Sequence, residues 1–142
     1  MNFSNEKPPI FEECKKRFGI SWDSVIITYG DTIYSKERPI DNLIVHEKVH
    51  IEQQTKLEKD IWWDRYFNDK DFRLSQELEA YKAQVKFIRE NYSRPERRRW
   101  EKHIYSSFVK DYGGIITKEL AKELLTWFMD FLIRGVALEI NS

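Results

Sequence analysis

The chain has 142 residues, 41% of them hydrophobic and 34% charged, with Lys plus Arg equal to Asp plus Glu at 24 each. These values fit one folded domain spanning 1–142 and exclude a disordered, highly charged segment, and a formal charge of zero gives no global attraction to nucleic acid or an anionic membrane. The one cysteine, Cys14, excludes an internal disulfide and a zinc site built from several thiolates.

Residues 1–20 read as an N-terminal arm, punctuated by Pro8-Pro9, with a short helix over 11–18 ended by Gly19. They lack a basic start followed by an apolar run, so no signal peptide is expected and the expected compartment is cytoplasmic. Residues 25–29 are rich in β-branched side chains, Gly30-Asp31 signals a turn, and residues 32–35 can return as a hairpin. From Pro39 the pattern is helical, since proline suits a first helical turn. Helices are expected over about 39–59, 72–91 and 94–110, with a short aromatic segment, 61–67, after the first. Gly113-Gly114 breaks the chain, and Thr117 caps a last helix running to about residue 139. Asp130 and Arg134 interrupt that apolar helix, so it reads as a core helix and not a membrane span. The expected fold class is α+β and predominantly helical, a single domain with a small antiparallel sheet before the histidine-bearing helix.

That helix carries His46-Glu47-Lys48-Val49-His50, an H-E-x-x-H pattern. Residues four apart on a helix lie one turn apart on nearly the same face, so two imidazoles at this spacing can bind one Zn²⁺ without bending the backbone. Glu47, one position on, projects beside the metal, where its carboxylate can take a proton from the attacking water. Ile40, Leu43, Ile44 and Ile51 form one apolar face of the helix, and Val45 and Val49 another. His46, Glu47 and His50 lie beside the first face, where burial is costly unless they are paired or bind metal.

A catalytic zinc takes three protein ligands and keeps one open position. The third ligand is sought in Glu77-Leu78-Glu79-Ala80. Leu74, Leu78, Tyr81, Val85, Ile88 and Tyr92 define an inward stripe, with Glu77 about 60° and Glu79 about 140° from its centre. Glu77 therefore completes a His₂Glu set from a second helix, and Glu79 faces water.

H-E-x-x-H followed on another helix by E-x-x-A resembles the gluzincin zinc peptidases, and the small size is similar to their one-domain forms, the minigluzincins. The resemblance covers about 40–60 and 72–90, with a hairpin before them. It makes His46, His50 and Glu77 the metal ligands and Glu47 the general base, and it puts Ala80 at the alanine position. Gln53, three after His50, matches a variant of the motif found in compact members. The resemblance also implies that residues 25–29 or 32–35 form the edge on which an extended peptide substrate adds as a strand. Many members carry an aspartate four residues after the glutamate ligand. Here that position is Tyr81, and Gln84, one turn further on, is the residue that could orient a histidine instead. A third histidine at the metzincin spacing is absent.

Tyr81, His103 and Tyr105 are candidate donors to an oxyanion. Trp62, Trp63, Tyr66 and Phe67 read as core, Cys14 as a small buried side chain, and Arg94, Arg97, Arg98, Arg99 and Lys102 as a solvated helix face. The expectation is a zinc-dependent hydrolase acting on peptide or protein substrates. The alternatives are an inactive metal-binding module, against which Glu47 argues, and a nucleic-acid-associated helical protein using the arginine cluster.

Overall fold

The computed structural model describes residues 1–112. The Gly113-Gly114 break, the helix expected from Thr117, and Asp130 and Arg134 lie outside them. The chain divides into two units, Met1–Arg97 and a second that begins at Arg98. The described residues form a predominantly helical α+β structure with a small three-stranded sheet. In order they are β1 (Asn2–Ser4), α1 (Phe11–Phe18), β2 (Ile27–Tyr29), β3 (Thr32–Tyr34), α2 (Asp41–Leu57), α3 (Lys59–Asn68), α4 (Lys70–Asn91) and α5 (Arg94–Tyr112).

Glycine sets two of the boundaries. Gly19 ends α1 at φ 63°, and its N–H bonds back to the Lys15 carbonyl. Gly30 takes φ 64° in the two-residue turn between β2 and β3. Both conformations strain a residue that has a Cβ.

The sheet is mixed, in the order β1-β3-β2. β2 and β3 pair antiparallel, with Thr28 opposite Ile33, as the hairpin signal implies. β1 joins parallel to β3, with Phe3 opposite Ile33. This corrects the reading of residues 1–20 as an arm and of the sheet as purely antiparallel. The first residues supply an edge strand, while Phe11 and Cys14 of α1 enter an apolar cluster with Ile27, Trp62 and Trp63. Burial there pushes the Cys14 thiol up to about 12, as expected of a packing residue and not a reactive thiolate.

The expected helix over 39–59 stops at Leu57, because Glu58 adopts φ 79°. The Glu58 carboxylate then accepts from the N–H groups of Asp60 and Ile61, which starts α3. The aromatic segment is thus a helix in its own right. Asp69 caps α4 in the same way, through the Phe72 N–H. Arg73, buried near the start of α4, donates to the Tyr66 carbonyl at 3.3 Å and lies 5.0 Å from the Phe18 ring centre. One side chain thereby ties α1, α3 and α4 together and places a cation at the C-terminal end of α3.

The inward face of α2 differs from the expectation. Ile40 is 50% exposed, and Leu43 and Ile51 are only half-buried. The buried side chains of α2 are Asn42, Ile44, His46, Glu47, His50, Gln53 and Gln54, nearly all polar. On α4 the buried face runs through Leu74, Glu77, Ala80, Gln84, Val85 and Ile88, with Leu78 and Tyr81 half-buried. Its centre is rotated towards Glu77 from the apolar stripe read in the sequence. Two helices with polar inner faces pack together only because those faces satisfy each other. Among the described residues no buried side-chain N or O atom lacks a hydrogen-bond partner.

Candidate metal centre

Three side chains from α2 and α4 converge. His46, His50 and Glu77 are 7%, 5% and 9% exposed. The two Nε2 atoms are 3.3 Å apart. Glu77 Oε2 lies 3.2 Å from His46 Nε2, and Glu77 Oε1 lies 3.1 Å from His50 Nε2. Glu79, two residues on, is exposed, as its phase implies.

The next layer fixes which face of each ring points inward. Gln53 Nε2 donates to the Gln76 carbonyl at 3.0 Å. A carbonyl can only accept, so the Gln53 Oε1 atom must be the one facing His50 Nδ1, at 2.8 Å. His50 therefore carries its proton on Nδ1, and in the neutral ring its Nε2 presents a lone pair to the centre. His46 Nδ1 has the same relation to Gln84 Oε1, at 3.0 Å. Gln84 Nε2 donates to Asn42 Oδ1 at 2.9 Å, and Asn42 Nδ2 donates to the Tyr92 hydroxyl at 3.0 Å. Gln84 thus occupies the orienting place left open by Tyr81, whose ring instead stands edge-on to His46 at 4.7 Å between centres.

Two nitrogen lone pairs and a carboxylate brought this close repel one another unless a cation lies among them. His46, His50 and Glu77 form a group that could hold a metal ion. The spacing fits: two ligands about 2.0–2.1 Å from one zinc ion, at a tetrahedral angle, lie about 3.3 Å apart. In the metal-free chain a proton takes that role. Burial works against a charged His50, but the adjacent Glu77 carboxylate, helped by Glu47, outweighs it and pushes His50 up to about 9. Burial also raises Glu77, and the two imidazoles more than reverse this, holding it well below the usual carboxylate range.

Glu47 is buried on the same helix, and the Thr28 hydroxyl of β2 donates to its Oε2 at 2.7 Å. The Thr28 carbonyl accepts from Gln54 Nε2 at 2.8 Å and Trp63 Nε1 at 3.1 Å, and Gln54 Oε1 takes the Gly30 N–H at 2.7 Å. These bonds pin β2 to α2 and α3. They also correct the reading of the hairpin as a docking edge. β3 is central and paired on both sides, and at Thr28–Gly30 the outer edge of β2 is filled by Gln54 and Trp63.

His103 is exposed on α5 and stands edge-on to Trp100, and Tyr105 is exposed on the same helix. Neither belongs to the group that could hold a metal ion. Of the arginine cluster, Arg94, Arg98, Arg99 and Lys102 are exposed and Arg97 is half-buried. Thr28, Asn42 and Tyr66 contribute to the site although their sequence positions give no sign of it. Tyr66 donates to Glu77 Oε1 at 3.0 Å.

Comparison of the chain with protein-family models, with curated proteins and with solved structures finds no match. No helix among the described residues is long and apolar enough to cross a membrane.

Proposed function

We propose that this chain is a zinc-dependent hydrolase of the gluzincin type, cleaving peptide bonds. The observation that carries the reading is the convergence of two Nε2 lone pairs and one carboxylate at ligand spacing, with a second buried carboxylate, Glu47, on the helix that bears both histidines. A structural metal site needs no base, so Glu47 favours catalysis over storage. His46, His50 and Glu77 would hold the ion, which when bound supplies a Lewis acid that polarises a carbonyl and acidifies water.

The remaining chemistry falls to the chain's own groups. The Thr28 hydroxyl holds Glu47 Oε2, which leaves Oε1 to accept a proton from water. The water oxygen forms a bond to the carbonyl carbon. Glu47 then returns the proton to the amine nitrogen as the carbon–nitrogen bond breaks. Gln53 and Gln84 hold both imidazoles in the tautomer this arrangement requires.

Metal analysis tests the reading. Wild type and Glu47→Gln should each retain one zinc ion per chain after dialysis, whereas His46→Ala and Glu77→Gln should lose it. Glu47→Gln should be inactive on every peptide of a library that wild type cleaves. A wild-type protein that stays zinc-free under metal-replete conditions would overturn the proposal.

A further inference from the structure

α3 lies outside the two helices that carry the metal ligands, yet it lends the centre two side chains. Trp62 and Tyr66 stack at 4.8 Å between ring centres and 21° between planes. Trp62 stands edge-on to His50 at 5.5 Å, and the Tyr66 hydroxyl donates to Glu77 Oε1 at 3.0 Å. We infer that Tyr66 is a positioning residue of the metal centre, whose hydroxyl engages Glu77 Oε1 and so favours Oε2 as the metal-binding oxygen. The inference rests on the zinc reading of the site.

The packing argues for a hydroxyl placed by the fold and not drawn in by the carboxylate. The Tyr66 ring is held by Trp62, by Trp63 at 5.1 Å and by Phe18 at 5.9 Å, with the Arg73 guanidinium 5.7 Å away. Its oxygen therefore has little freedom to follow Glu77. Both Glu77 oxygens face an imidazole, Oε2 at 3.2 Å from His46 Nε2 and Oε1 at 3.1 Å from His50 Nε2, and only Oε1 also receives the Tyr66 proton. A carboxylate with both oxygens unengaged can bind a cation through one or through both. A proton donated to Oε1 draws charge from that atom and makes one-oxygen binding the better choice. The distinction matters because two histidines and one oxygen leave a four-coordinate ion with a vacant position, which a second carboxylate oxygen would fill. Tyr66 thereby keeps the centre open to substrate.

Tyr66→Phe keeps the ring and removes only the oxygen. The test compares it with wild type in three measurements: thermal unfolding of the chelator-treated protein, zinc affinity by chelator competition, and the visible absorption of the cobalt-substituted protein. The expected result is a modestly lower metal-free unfolding temperature from the one lost buried hydrogen bond, zinc affinity weakened by about 10-fold, and, as the readout a merely structural role would not move, a weaker cobalt absorption as the coordination number rises. Equal zinc affinity and an identical cobalt spectrum in the two proteins would overturn the role of Tyr66 and leave the metal site standing. Wild type that takes up neither ion would overturn the zinc reading itself, and the inference with it.

Discussion

The Gln53 and Gln84 side chains decide what His46 and His50 can do. Each amide oxygen takes an Nδ1 proton, and each amide N–H is spent on a different acceptor, Gln76 carbonyl in one case and Asn42 Oδ1 in the other. Gln53→Leu or Gln84→Leu should leave the corresponding imidazole free to rotate or change tautomer. Each is expected to weaken zinc binding by about 10- to 100-fold, read by chelator competition. Affinity equal to wild type in both variants would mean that the amides only fill space. These contacts were partly legible. The H-E-x-x-H pattern and helical phase singled out His46, Glu47, His50 and Glu77 and rejected Glu79, while Gln84 was suggested by the resemblance to the gluzincins. Thr28, Asn42 and Tyr66 were not legible, because each reaches the site from a different element and no period within one element marks such a contact.

At the level of elements, α2 and α4 can approach closely because of Ala80. It is 0% exposed on the face that also carries Glu77 and Gln84. Ala80→Leu forces extra atoms into that filled space, which should cost about 1–3 kcal/mol and move α4 relative to α2. The expected outcome is a lower unfolding temperature together with weaker zinc binding. Glu79→Ala, on the exposed side of the same helix, should change neither. A stable Ala80→Leu protein with unaltered metal affinity would show that the interface yields without disturbing Glu77. The end of α1 and the hairpin were readable where glycine marks them, at Gly19 and Gly30. The division between α2 and α3 was not, since Glu58 at positive φ breaks the rule that such positions go to glycine or asparagine. Nor was β1, a three-residue strand whose partner lies in the hairpin and is selected by tertiary packing.

For the molecule as a whole, the convergence of two buried titratable groups from separate helices links stability to pH. His50 rises from an ordinary value of 6.5 to about 9 in the folded chain. Its contribution to stability is complete below 6.5 and is lost as pH climbs through 9. Glu77 is held well below its ordinary 4.5, so its contribution is complete above 4.5 and is lost as pH falls through the lowered value. Both contributions are fully present together between about 4.5 and 6.5, and the metal-free protein should reach its highest unfolding temperature there. From 6.5 to 9 that temperature should decline, because the proton that separates the acceptors is leaving. Zinc should reverse the trend. The metal competes with the His50 proton, so the increment it adds to the unfolding temperature should grow across the same interval. Calorimetric titrations at about pH 7.5 in buffers of different ionisation enthalpy should show protons released on binding. A metal-free unfolding temperature that stays flat between pH 6.5 and 9 would mean that Glu77 does not hold the His50 proton. The ion would then enter a centre whose lone pairs were already bare, and no proton release would accompany its binding.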